Sequence, residues 1–292
     1  MAGGRFGTQP SRLGNVRLGL YGGKENMDMV TLNNDVNMPM LGLGTYALHG
    51  RECERCVLEA LELGYRLFDT AQMYGNERDV GNALRHSGVP REEFFVTTKL
   101  YRPSVSYAKA KKGIEASLNA LQLDFIDLLL IHEPYREAEE MYPALEEAYR
   151  AGRLRAIGVS NLNASRYEAF RRACTVIPAV NQVEAHIFFQ QRELLEGMKK
   201  RGTHMQAWSP FAAGKNDFFH NPALCDLALA YGKTPAQIAL RYLVQLGISV
   251  IPKSSHRERM RENLGIFDFQ LQDEDMQRIR ALDRGKTLFG WY

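Results

Sequence analysis

The sequence predicts an α/β fold: a single (β/α)8 TIM barrel, with an N-terminal hairpin closing its bottom and an extra helix at its C-terminal end. Three observations carry this. From Val30 onward, short β-branched or leucine-rich runs alternate with longer amphipathic stretches in eight successive units, the pattern of parallel β-α units. The run FIDLLLIH, ending at His132, is nearly all apolar before its last residue, as a strand buried on both faces must be. The span from Asn33 to Leu282 is about 250 residues, the size typical of such a barrel, and leaves no room for a second domain.

In chain order, a hairpin is expected around 30–38. Strands follow over 41–45, 67–69, 95–99, 126–132, 156–160, 179–183, 205–208 and 249–251. The amphipathic stretches between them predict helices over 51–63, 77–85, 107–121, 137–150, 164–173, 190–200 and 235–246. A closing helix over 273–282 places Asp273, Glu274 and Asp275 near its start, where negative charge suits the helix dipole.

Residues 1–26 differ in character. Glycine-rich, with Arg5, Arg12, Arg17 and Lys24 against a single Glu25, they lack apolar periodicity and read as a tail or leader, leaving one domain over 27–292. The stretch has a faint transit-peptide composition, and Met27 and Met29 just before the first strand-like segment are candidate starts.

Composition bounds the partners. The 37 basic and 34 acidic residues leave a net charge of +3 with no long basic block, which argues against nucleic acid. No apolar run approaches the roughly 20 residues needed to span a bilayer, so a cytoplasmic protein without a membrane partner is expected. Cys53 and Cys56 form a C-x-x-C inside a helical stretch, while Cys174 and Cys225 stand apart; free thiols are expected rather than a metal or redox site.

In barrels of this kind chemistry sits at the C-terminal ends of the strands and in the loops beyond them. Those positions hold Asp69, Tyr74, Lys99, His132, Ser160, Asn161, Gln182, Trp208, Ser209, Lys253 and Ser254. Taken singly, Asp69 could cap a turn, Lys99 could lie on the surface and His132 could be a satisfied strand-end histidine. Together they suggest carbonyl chemistry. A tyrosine hydroxyl is a poor acid near its usual pKa of about 10, and an adjacent ammonium lowers it by stabilising the phenolate. Lys99 can do this for Tyr74, Asp69 can keep a desolvated Lys99 charged, and a neutral His132 can orient a carbonyl oxygen. The set lacks an evident nucleophile and is a poor metal shell, so a nicotinamide hydride is the natural attacking group.

The segments GLGTY (from Gly42), FDTAQMYGNE (from Phe68), TTKL (from Thr97), LLLIHEP (from Leu128), IGVSN (from Ile157), NQVE (from Asn181), AWSPF (from Ala207) and IPKSSHRERMRENL (from Ile251) resemble the aldo-keto reductase family in sequence, spacing and order. The match runs from about Val30 to the end. The resemblance implies a catalytic tetrad of Asp69, Tyr74, Lys99 and His132, with Tyr74 the general acid in reduction and general base in oxidation. It implies that Ser160, Asn161 and Gln182 hold the nicotinamide carboxamide. Trp208 would stack on the ring, where most relatives carry tyrosine, and Gly44, Thr45, Asp69, Ser209, Pro210 and Phe211 would complete the cofactor contacts. Tyr46, Tyr74 and His132 would meet the substrate, a small aldehyde or ketone.

Lys253, Ser254 and Arg259 surround a helix start, and two cations with a hydroxyl suit a 2′-phosphate better than a ribose hydroxyl, so NADPH/NADP+ is expected over NADH. By resemblance, Glu262 and Asn263 lie where the adenine is held. There is no G-x-G-x-x-G, since Gly42-Leu43-Gly44 runs into Thr45, Tyr46 and Ala47, so the binding mode is not Rossmann-like.

Two features depart from many relatives. Glu133 follows His132 where a bulky aromatic is usual, so that either the pocket wall is more polar or this side chain points away. The loop after the seventh strand reads as short, and the chain stops at Tyr292 soon after its last helix. The likeness is therefore to the bacterial-type branch of diketogluconate, methylglyoxal and prostaglandin F synthase-like reductases, with an open, permissive pocket and the family's usual monomeric state. Two other classes compete: a slow NADP(H)-binding sensor or regulatory subunit on the same barrel, and a barrel hydrolase with a metal at Asp69 and His132.

Overall fold

The computed structural model describes residues 17–18 and 28–290. A three-stranded antiparallel sheet comes first, made of β1 (Arg17–Leu18), β2 (Asp28–Thr31) and β3 (Asn37–Pro39). Arg17 and Leu18 fall within the stretch read as a tail, and they pair with Met29 and Asp28; the rest of 1–26 lies outside the described residues.

Eight parallel strands then follow in chain order: β4 (Leu43–Gly44), β5 (Leu67–Asp69), β6 (Phe95–Leu100), β7 (Ile126–Ile131), β8 (Leu154–Ser160), β9 (Val180–Glu184), β10 (His204–Trp208) and β11 (Ser249–Val250). The seam between first and last is closed by parallel bridges, Leu41 to Val250 and Gly44 to Lys253, backed by the Gly42 amide donating to the Val250 carbonyl. This bridging leaves only a short regular strand within the expected 41–45. A Cβ on Gly44 would stand 2.7 Å from the Ile251 carbonyl oxygen, so the seam closes only over glycine.

The barrel helices are α1 (Gly50–Leu63), α2 (Glu77–His86), α3 (Tyr107–Leu121), α4 (Ala138–Arg150), α5 (Ala164–Ala173), α6 (Arg192–Lys199), α8 (Pro235–Gln245) and α9 (Arg257–Leu264). Two more, α7 (Pro222–Tyr231) and α10 (Asp273–Arg280), are joined by the Tyr231 hydroxyl donating to Asp275 at 2.6 Å. The expected closing helix is α10, two residues shorter. Helix α7 was not expected, and the β10 to α8 connection is accordingly longer than its reading as short. The cap signals were present, with Asn221 accepting from the Leu224 amide and Pro222 opening the helix. What hid it is that its apolar residues do not keep to one face: Leu229 is 85% exposed.

The hairpin of β2 and β3 closes the N-terminal end. Leu32 and Met38 pack with Leu67, Phe95, Ala179 and Val180 at the starts of barrel strands, and Asn34 donates to the Arg155 carbonyl at 2.8 Å. At the same end, fully buried Asp127 accepts from Arg91 at 2.6 Å, Arg155 at 2.8 Å and the Val96 amide at 2.9 Å, satisfying its charge within the wall. Cys53 and Cys56 are buried in α1 as free thiols, and burial raises Cys53 to about 12, where no thiolate forms near neutrality.

Burial, aided by Lys199, pulls the β10 residue His204 down to about 4, its ring paired with Ser249 at 3.0 Å. In the unfolded chain the same imidazole takes up a proton near pH 6.5. Its contribution is therefore complete above that pH and lost as pH falls toward 4, amounting to at most about 3 kcal/mol. Urea midpoints are expected to fall across this window in the parent and more shallowly in His204→Asn.

Candidate active site

Four side chains converge at the C-terminal ends of β5, β6 and β7. Asp69 ends β5, Lys99 lies near the end of β6, His132 follows β7, and Tyr74 sits on a single 3-10 turn, Gln72–Tyr74, which Gly75 closes at φ +67°. That turn is braced by Gln72 donating to the Gly113 carbonyl at 2.8 Å.

Lys99 is fully buried. Its ammonium donates to Asp69 Oδ1 at 2.6 Å and to the Thr70 carbonyl at 2.9 Å, and lies 3.5 Å from the Tyr74 hydroxyl. Burial works against its charge, but the Asp69 carboxylate and Tyr74 outweigh it, leaving Lys99 above its usual pKa. Asp69 Oδ2 accepts from Gln182 Nε2 at 2.7 Å, and the same nitrogen donates to Gln206 at 2.8 Å. Both oxygens of this buried carboxylate are thus occupied, as an ion pair out of water requires.

Tyr74 corrects an expectation. Burial raises its pKa more than Lys99 lowers it, so the phenol ends above rather than below its usual value. At neutral pH the hydroxyl keeps its proton. His132 goes the other way: burial, aided by Lys99, drives it down to about 3, so its ring is neutral. Its ring stands edge-on to that of Tyr74 with centroids 5.5 Å apart, and its Nδ1 is buried without a hydrogen-bond partner among the described residues.

A cavity of about 670 Å³ opens over this group. Of the expected residues, Gly44, Tyr46, Asp69, Tyr74, His132, Ser160, Asn161, Gln182, Trp208, Ser209, Pro210, Phe211 and Lys253 line it. Asn161 and Ser209 adopt left-handed backbone, at φ +62° and +51°, where strand ends turn into the cavity wall. The Trp208 indole donates to Asn161 Oδ1 at 2.7 Å, and Asn161 Nδ2 donates to the His132 backbone carbonyl at 3.3 Å, which fixes the side-chain amide between them.

The others stand away from the cavity lining. Lys99 lies behind Asp69 and Tyr74, and Thr45 is fully buried, its hydroxyl donating to the Asp69 carbonyl at 2.9 Å. Ser254 accepts from the His256 amide at 3.1 Å just before α9. Arg259 is exposed on that helix, Glu262 accepts from Thr234 at 2.6 Å, and Asn263 is buried against Tyr65. Glu133 is not among the cavity-lining residues; it hydrogen-bonds Tyr135 and helps raise that phenol.

Sequence reasoning missed Ala47, Met73, Ala213, Ile251, Pro252 and Phe289, all of which line the cavity. Ile251 and Pro252 follow the eighth strand, so the strand-end rule could have found them. Phe289 carried no local signal, being far in sequence from Trp208 and Lys215, whose side chains it meets.

Comparison with known proteins agrees in scale with this architecture. The profile described as "Aldo/keto reductase family" matches residues 40–284. The chain is 42% identical to a 9,11-endoperoxide prostaglandin H2 reductase of Trypanosoma cruzi, over 91% of this chain and 95% of that protein. It is 41% identical to a glyoxal reductase of Bacillus subtilis, over 89% and 95%. Among solved structures it resembles the enzyme MGS-M4 from a Medee basin deep-sea metagenome, with TM-score 0.87, 41% identity, and 89% and 97% of the two chains covered. It also resembles a Bombyx mori protein crystallised with NADP, with TM-score 0.83, 32% identity, and 89% and 94% covered.

Proposed function

The chain belongs to the aldo/keto reductase family, and we propose that it reduces small aldehydes and ketones to alcohols with NADPH, Tyr74 serving as the proton donor. The observation that carries this reading is the meeting, on the floor of one cavity, of a protonated Tyr74 and a neutral His132, with the buried Lys99–Asp69 pair directly behind Tyr74.

The cavity fits a dinucleotide by its own residues. The Nδ1 of His132 is a buried polar atom that a ligand would satisfy. Lys253 and Arg259 are exposed cations with no ion-pair partner among the described residues, beside a helix start that already favours an anion. Lys253, Ser254 and Arg259 would hold the 2′-phosphate, and Glu262 and Asn263 the adenine. Ser160, Asn161 and Gln182 would hold the carboxamide, while Trp208, Gly44, Thr45, Ser209, Pro210 and Phe211 would complete the seat. When bound, the nicotinamide supplies hydride. His132 orients the substrate oxygen through a neutral imidazole, Tyr74 gives that oxygen its proton, and Lys99 stabilises the phenolate left behind. In oxidation the same phenolate takes the proton back.

Tyr46, Met73, Trp208 and Phe289 make the wall largely apolar around this polar floor, which suits compact carbonyls such as those the relatives' names suggest. The same reading has a single reductase domain over 27–292 with 1–26 as a tail or leader, working as a cytoplasmic monomer. No helix among the described residues is long and apolar enough to cross a membrane.

The test is a panel of aldehydes, α-dicarbonyls, keto-sugars and quinones followed by loss of nicotinamide absorbance, with NADPH and NADH in parallel. Turnover with none of them would reject the reading. Lys253→Met and Arg259→Ala are each expected to weaken NADPH by about tenfold in direct titration while leaving NADH within about twofold, since each removes a charge-assisted contact to phosphate. Equal weakening of both cofactors would place the phosphate elsewhere.

A further inference from the structure

Glu184 ends β9, in register with Trp208 on β10, and its side chain is fully buried. One oxygen accepts from His186 Nε2 at 3.0 Å and from the Leu288 amide at 2.8 Å, and the other from the Thr287 hydroxyl. His186 is equally buried, and its Nδ1 accepts the amides of Phe188 and Phe189 at 3.2 and 3.1 Å. With Nδ1 taken as an acceptor, the ring proton sits on Nε2 and points at the carboxylate. The backbone thus sets the tautomer, and the tautomer orients Glu184 toward the C-terminal segment.

The segment so held reaches the active site. Thr287 Oγ accepts the amides of Phe289 and Gly290 at 3.1 and 3.0 Å, turning the chain inward. Phe289 then lines the cavity with its ring 5.2 Å from Trp208. From the other side Lys215 donates to the Leu288 carbonyl at 2.7 Å and stands 4.2 Å from the Phe289 ring centroid. Glu184, His186 and Thr287 do not line the cavity themselves; of the segment they hold, Phe289 is the residue that does.

We propose that Glu184 is a positioning residue for substrate selection: oriented by His186, it anchors Thr287 and Leu288 so that Phe289 narrows the cavity beside Trp208 and excludes bulky carbonyls. This rests on the carbonyl-reductase reading above. It gives a buried carboxylate, whose desolvation must be met by these hydrogen bonds, a role at the cavity as well as in the fold.

The test uses the full chain with NADPH and compares Glu184→Gln, Thr287→Val, Phe289→Ala and the Glu184→Gln/Phe289→Ala double variant. Thr287→Val leaves the carboxylate and its histidine intact, so it separates the latch from a folding defect. Substrates are glyoxal and a two-ring aromatic ketone, and amide hydrogen exchange across 287–290 is read without substrate. KM for the two-ring ketone is expected to fall by about tenfold in each single variant, a ratio ordinary for a change in one apolar wall. KM for glyoxal is expected to stay within about twofold in Glu184→Gln and Thr287→Val, and the double variant to match Phe289→Ala, as residues acting through one another do. Exchange at Leu288 is expected to quicken in Glu184→Gln and Thr287→Val. Equal effects on both substrates, additive losses in the double variant, or unchanged exchange at Leu288 would each overturn the proposal. Should the parent turn over nothing in the full carbonyl panel, the proposed function fails, while unchanged exchange at Leu288 would still overturn the latch on its own.

Discussion

Tyr74→Phe is expected to lower kcat for reduction by about a thousandfold while leaving NADPH affinity within about twofold, because a positioned general acid serves the transition state rather than the cofactor. The ring should not move. It is held edge-on between Tyr46 at 5.2 Å and His132 at 5.5 Å, with Lys99 Nζ 5.0 Å from its centroid, and phenylalanine keeps those contacts. Only the hydroxyl is lost. With the phenol above its usual pKa, its proton is retained throughout the neutral range, so reduction should be flat there and fall only in strong alkali. Oxidation needs the phenolate and should rise with pH over the same range. Steady-state profiles in both directions check this, and reduction persisting in the variant would reject Tyr74 as the donor.

Lys99→Met is expected to be the most damaging single change to stability, costing about 3–5 kcal/mol, together with a loss of turnover of about a hundredfold or more. Methionine fills much of the lysine's volume, but the ammonium bonds to Asp69 and the Thr70 carbonyl vanish, leaving a buried carboxylate with Gln182 as its remaining side-chain partner. Burial already pushes Asp69 above its usual pKa, and without Lys99 only the Gln182 hydrogen bond opposes that push. The folded variant would therefore hold a proton on Asp69 that the unfolded chain releases near pH 4, so the deficit should be full at neutral pH and shrink as pH falls. Adding Asp69→Asn removes the stranded charge and should restore most of the stability without restoring turnover. Urea titrations at several pH values, with activity per folded molecule alongside, distinguish this from general disruption; an additive double variant would exclude the coupling.

Much of the site was legible because a parallel barrel converts strand ends into a single location. Asp69 and His132 follow apolar runs and Lys99 lies near the end of β6, so the strand-end rule brought them to one mouth, and Tyr74 followed from the short turn after β5. The sign of the Tyr74 shift was not legible. An adjacent ammonium can be read from sequence, whereas the opposing penalty depends on how completely neighbouring elements exclude water. Helix α7 was hidden for a related reason, since its apolar residues do not keep to one face and reveal no buried side until its packing is known.

The amino-acid order by itself determined the eight β-α units, the hairpin beneath them and the residue types at the rim, because side-chain periodicity and turn chemistry are local. Only the tertiary structure decided that Gln182 meets Asp69 across 113 positions, that Glu184 grips Thr287 and Leu288, and that Phe289 reaches the cavity. These contacts join groups with no fixed spacing, and their strength comes from desolvation, which exists only once the barrel has closed.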